Sequence, residues 1–158
     1  MALKKYTPKT LPSRQAPAAK ERPQVLYVED DLSVWDVTSH ALGERYALTR
    51  ATNAREAFHL LSKTNFDIIL MDIELQGSEL NGIEICQVIR GRYEGRARVP
   101  SQEWEHITAP IIFVTAYAAR YSRQELLDAG GDERILKPVN FTTMSLAMSR
   151  LLVQRVGG

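Results

Sequence analysis

The chain has 158 residues, 44% of them hydrophobic and 25% charged, which fits one globular domain with a sizeable core. Its single cysteine, Cys86, excludes an intramolecular disulfide and a multi-cysteine metal site. No apolar stretch is long enough to span a membrane, and the N-terminus lacks the apolar segment of a secretory signal, so a cytoplasmic protein with no membrane insertion is expected.

Charge is uneven along the chain. Residues 1–23 hold Lys4, Lys5, Lys9, Arg14, Lys20 and Arg22 against Glu21, a surplus of +5 that leaves −4 on the rest of a +1 chain. With Pro8, Pro12, Pro17 and Pro23 and little to bury, residues 1–23 read as a disordered basic extension. A mitochondrial-type presequence is the alternative, but the prolines spoil an amphipathic helix.

From residue 24 to 158 strand and helix signals alternate, as one domain. Val25–Val28 is a short apolar run that ends abruptly in Glu29, Asp30 and Asp31. A helix follows over Leu32–Leu42, with Val34, Val37 and Ala41 at helical spacing beside Trp35 and Leu42. Tyr46–Ala51 is a strand, and Asn53 caps a second helix whose Ala54, Ala57, Phe58 and Leu61 share a face. Phe66–Met71 is the central strand and ends at Asp72. Gly82 opens a third helix through Arg90, with Ile85, Cys86 and Ile89 inward. Residues 91–109 form a polar, Gly- and Pro-punctuated insertion, long for a connection in a compact domain. Ile111–Val114 then runs as a strand to Thr115. A fourth helix covers Ser122–Ala129 and stops at Gly130-Gly131. A short strand, Ile135-Leu136, leads to Lys137-Pro138. The last helix starts at Asn140, with Phe141, Met144, Met148, Leu151 and Leu152 on one face.

Five βα units in series predict an α/β fold: a doubly wound parallel sheet of five strands in the order 2-1-3-4-5. In that order strands one and three are neighbours at the switch point, where open α/β sheets bind their ligands. Glu29, Asp30 and Asp72 would then meet across a crevice, with Lys137 near. Clustered carboxylates repel, a hard divalent cation such as Mg²⁺ relieves the repulsion, and lysine suits a phosphoryl oxygen as a point charge. A carboxylate can itself be the nucleophile that forms an acyl phosphate.

This constellation resembles the receiver domain of bacterial two-component response regulators, over roughly residues 24–158. The motifs that carry it are Val28-Glu29-Asp30-Asp31, Ile69-Leu70-Met71-Asp72, Phe113-Val114-Thr115-Ala116 and Leu136-Lys137-Pro138, in order. The resemblance implies that Asp72 is the phosphoacceptor, that Asp30, Asp72 and the backbone carbonyl of Glu74 hold Mg²⁺, and that Glu29 holds a metal-bound water. It further implies that Thr115 and Lys137 contact the phosphoryl group, that Lys137-Pro138 is cis, and that Glu74 and Tyr117 flank the site at positions that tune phosphoryl lifetime. A histidine kinase or phosphotransfer protein would be the donor and a downstream protein the target. The chain would be no enzyme beyond its own phosphorylation and dephosphorylation.

Several positions depart from the family pattern. The segment after Asp72 is two residues longer and lacks the usual proline. Arg134 stands where an aromatic residue often accompanies activation. The insertion runs about ten residues past the usual length for a connection. No output domain follows the last helix, so a single-domain protein acting through protein contacts is expected, with phosphorylation-linked homodimerisation left open. The alternative is a phosphorylation-independent adaptor or scaffold on the same fold. Nucleic acid is not expected as a partner: Arg90, Arg92, Arg96 and Arg98 and the basic tail read as solvated charge. Asp31 reads as a helix cap, and Trp104 reads equally as a partner contact or as the anchor of a folded-back loop.

Overall fold

A computed structural model describes residues 21–156. The expected disordered extension, apart from its last three residues, lies outside them.

Five strands and five helices alternate: β1 (Gln24–Val28), α1 (Leu32–Leu42), β2 (Ala47–Ala51), α2 (Ala54–Lys63), β3 (Ile68–Asp72), α3 (Gly82–Ile89), β4 (Ile111–Thr115), α4 (Arg123–Asp128), β5 (Glu133–Leu136) and α5 (Phe141–Val156). The strands form one parallel sheet in the order β2-β1-β3-β4-β5, as the alternation predicts. β3 and β4 are buried at every position because helices cover both faces, which explains their continuous apolar sequence.

Side chains alternate between two cores. Leu26, Val28, Ile69, Met71, Ile111 and Phe113 face α2, α3 and Leu126 of α4, while Val25, Tyr27, Ile68, Leu70, Ile112 and Val114 face α1 and α5. Helix starts are capped as their side chains suggest. Asp31 Oδ1 accepts from the backbone N of Ser33 and Val34, Asn53 caps α2, and Asn81–Glu84 and Ser122–Glu125 form capping boxes. Gly130, just past α4, has φ of 105°, a left-handed conformation that glycine adopts without penalty. The Lys137-Pro138 peptide is cis.

Two expectations need correction, and one open pair of readings is decided. The buried stripe of α1 is Thr38 and Leu42, with Val34 and Trp35 partly buried; Val37 is 58% exposed and Ala41 is exposed too. The insertion at residues 91–109 folds back onto the domain. Trp104, Ile107 and Ala109 are buried in the α2–α3 core, with Tyr93, Ala97 and Val99 packed against it, and the Trp104 ring lies 5.4 Å from that of Phe58. Trp104 is therefore the anchor of a folded-back loop. Arg90 is not a solvated charge. Its guanidinium donates to the carbonyls of Ile107 (2.8 Å), Ala109 (2.7 Å) and Gly130 (3.2 Å), stitching the end of the insertion to the turn after α4.

Candidate functional site

The sheet register brings the charged strand ends together. Val28 pairs with Met71, so Glu29 and Asp72 emerge side by side; Asp72 pairs with Val114 and Thr115 with Leu136, so Thr115 and Lys137 emerge next along the same edge. One carboxylate oxygen from each of Glu29, Asp30 and Asp72 lies within 4.8 Å of the other two. Such a set of oxygen donors suits a hard cation.

Glu29 is the innermost member and has no exposure to solvent. Its Oε2 accepts from Lys137 Nζ at 2.8 Å and from the Tyr27 hydroxyl at 3.1 Å, and its Oε1 accepts from the backbone N of Asp31 at 3.1 Å. A buried charge needs such company, since desolvation without a partner costs several kcal/mol. Burial and the neighbouring Glu29 charge together push the Tyr27 hydroxyl far up, so it remains a hydrogen donor. Lys137 Nζ also lies 3.4 Å from Asp72 Oδ2, bridging two carboxylates. Burial alone would lower the lysine, but the bond to Glu29 and the charges of Asp72 and Glu29 more than offset it and raise its pKa.

Asp72 is 5% exposed. Burial first, then the Glu29 charge, push its carboxyl up to about 7, against the opposing pull of Lys137. Asp30 lies further out, its Oδ2 accepting from the backbone N of Gln76 at 3.0 Å in the lengthened loop after β3. Thr115, buried, accepts at Oγ1 from the backbone N of Tyr117 at 3.0 Å, and its carbonyl accepts from Lys137 N at 2.8 Å. Glu74 turns its carboxylate to the loop after β4, where Oε1 accepts from the Tyr121 hydroxyl at 2.8 Å and from Arg120 Nη1 at 3.0 Å. Tyr117 is exposed beside Arg120. Arg134, at the expected aromatic position, is half-buried and donates to the Tyr121 carbonyl at 3.2 Å.

The sequence alone does not single out two further supports. Arg50 at the end of β2 donates through Nε to the carbonyl of Glu29 (2.9 Å) and through Nη2 to that of Asp30 (2.7 Å), clamping the backbone of the acidic turn. An arginine near the end of the edge strand Ala47–Ala51, beside the acidic turn, is the available signal. Gly82 packs its Cα against the carbonyl of Asp72, where a Cβ would collide, while its N donates to Ile73 O at 2.9 Å.

The family model for the response regulator receiver domain matches residues 25–149. The chain belongs to that family. It is thus a receiver domain of the response regulators of two-component signalling. Among curated relatives, the uncharacterized transcriptional regulatory protein YrkP of Bacillus subtilis is 31% identical over 116 residues, 73% of this chain and 43% of that protein. The receiver spans about half the length of the curated relatives it matches. Among solved structures, the Francisella response regulator 1452 receiver domain has a TM-score of 0.70 at 22% identity, covering 85% of this chain and 99% of that one. The receiver domain of the sensor histidine kinase PA1611 of Pseudomonas aeruginosa, described with a magnesium ion coordinated in its active site cleft, has a TM-score of 0.67 at 25% identity and covers 84% and 98%. Among the described residues, no helix is long and apolar enough to cross a membrane.

Proposed function

We propose that this receiver accepts a phosphoryl group on Asp72 from a histidine kinase or phosphotransfer protein and passes the signal on by protein contact. The observation that carries this reading is the placing of Asp72: a buried carboxylate clustered with two further carboxylates and within reach of the Lys137 ammonium that also binds Glu29. In the transfer, an Asp72 oxygen bonds to phosphorus as the bond from phosphorus to the donor breaks, so Asp72 must be ionised to attack. With its pKa pushed up to about 7, a good part of Asp72 is protonated near neutral pH unless positive charge is added.

The donor set fits Mg²⁺, with Asp30, Asp72 and the backbone carbonyl of Glu74 as its ligands. Glu29 would act through a water, in keeping with oxygens already occupied by Lys137, Tyr27 and Asp31. Such an ion supplies neutralisation of the carboxylates and of the phosphoryl oxygens. Lys137 then offers its ammonium to a phosphoryl oxygen, and the Thr115 hydroxyl, whose lone pair is taken by Tyr117 N, retains its proton to donate. The acyl phosphate carries nearly two negative charges where the carboxylate carried one, together with three strong acceptor oxygens beside Glu29, enough to bias a two-state element. The working unit is inferred to be residues 24–158, acting in the cytoplasm.

The test is intact-protein mass after incubation with acetyl phosphate and Mg²⁺. Gain of one phosphoryl group by the native chain and none by Asp72→Asn is expected. Labelling of the variant would overturn the assignment of the acceptor.

A further inference from the structure

Glu74 follows Asp72 by two residues, in the loop that leaves β3, yet its carboxylate is engaged by the loop that leaves β4. Its Oε1 takes the Tyr121 hydroxyl at 2.8 Å and Arg120 Nη1 at 3.0 Å. The same loop is tied internally back to the site. The Arg120 guanidinium lies over the Tyr117 ring at 5.6 Å, Arg120 N donates to the Tyr117 carbonyl, and Tyr117 N donates to Thr115 Oγ1. Its far end is held by Arg134 of β5, through the Tyr121 carbonyl. An unbroken run of contacts therefore joins the Glu74 carboxylate to the Thr115 hydroxyl and to β5.

The members differ in strength. Arg120 and Glu74 form an ion pair open to solvent, with side chains 62% and 38% exposed, and such pairs contribute little. The Tyr121 hydroxyl is the better partner, since it is half-buried and donates to a charged acceptor.

We propose that Glu74, Arg120 and Tyr121 are positioning residues that latch the loop after β4, and with it Thr115, in the unphosphorylated arrangement. The proposal rests on Asp72 being the phosphoacceptor. A phosphoryl group there places like charge two residues from Glu74 and draws Thr115 toward itself. Both effects strain the latch, so the latch holds part of the population in a state that cannot close on the phosphoryl group. Apparent affinity for such a group is reduced by the fraction held back.

Beryllofluoride, whose trifluoroberyllate becomes tetrahedral when a carboxylate oxygen completes its coordination and so mimics a phosphoryl group, reads this directly when titrated with Mg²⁺ into the full chain and followed by ¹⁹F NMR. Tyr121→Phe removes one hydroxyl and no charge, so a change in net charge cannot explain an effect. It is expected to bind the mimic about three- to tenfold tighter. In a Glu74→Ala background, where the acceptor is already gone, Tyr121→Phe is expected to have no further effect. Unchanged or weaker binding by Tyr121→Phe overturns the latch, as does an equal gain with Glu74 absent. If the native chain binds no beryllofluoride, the acceptor reading itself falls, and the latch with it.

Discussion

Lys137 Nζ lies 2.8 Å from Glu29 Oε2, a pair formed between the end of the sheet's fifth strand and a carboxylate wholly withdrawn from solvent. Removing one partner of a buried pair leaves the other charge uncompensated, which is far costlier than the pair is worth as a whole. Lys137→Met is therefore expected to destabilise the cation-free protein by about 3 kcal/mol at pH 7. Glu29→Gln/Lys137→Met, which leaves no orphaned charge on that axis, should recover part of this. Urea unfolding in the presence of a chelator measures both. A cost near zero for the single variant would mean that the Lys137–Glu29 pair does not hold the fold in this way.

Asp72 gives stability a pH dependence of defined sign. Its carboxyl is raised from 3.8 to about 7 in the folded chain, so folding favours the protonated form. The contribution is fully present below the unfolded value near 4 and is lost as pH rises through about 7. At about 1.4 kcal/mol per pH unit the loss is a few kcal/mol. In chelator, the native chain should lose melting temperature relative to Asp72→Asn between pH 4 and pH 8, and Mg²⁺ should restore the native chain alone. Parallel curves for the two proteins would show that the carboxyl is not perturbed.

What was legible in the sequence follows from how abruptly its apolar runs end. Val25–Val28 and Ile68–Met71 stop in carboxylates and Ile135-Leu136 stops at Lys137, and strand order alone then places those residues at one edge. The phase of α1 was not legible. Val37 and Ala41 compete with Thr38 and Leu42 for the inward stripe, and the structure buries a threonine where the pattern pointed to a valine. Contacts between polar side chains distant in sequence leave no periodicity. Arg50 on the carbonyls of Glu29 and Asp30 and Tyr121 on Glu74 are visible only once the loops are placed. Arg90 misled for a related reason: its neighbours Arg92, Arg96 and Arg98 suggest a solvated cluster, while the carbonyls it satisfies lie 17 to 40 residues away.

Gly82 is a point at which the helix after the site lies directly against the backbone of the acceptor. A methyl group there would meet the Asp72 carbonyl and the backbone of Ile73, neither of which is the flexible end of a side chain. Gly82→Ala is expected to cost about 1–3 kcal/mol, the usual range for overpacking a filled site. Because relief of the clash has to move Asp72, its labelling by acetyl phosphate should also slow. Unfolding and labelling measured on the same preparation test both; a variant with native stability and native labelling rate would show that α3 can shift without disturbing the acceptor.

Trp104 separates the anchored loop from a free partner contact by a pair of substitutions. It is 5% exposed, packs on Phe58, and its Nε1 has no hydrogen-bond partner among the described residues. Trp104→Ala removes a large buried ring and is expected to cost about 3 kcal/mol or more. Trp104→Phe retains most of the packing and also deletes an N–H that gains nothing from burial, so its cost should stay below about 1.5 kcal/mol. An exposed contact residue would behave differently, with both variants as stable as the native chain. Urea unfolding of the two variants decides the matter, and a negligible cost for the alanine would return residues 91–109 to solvent.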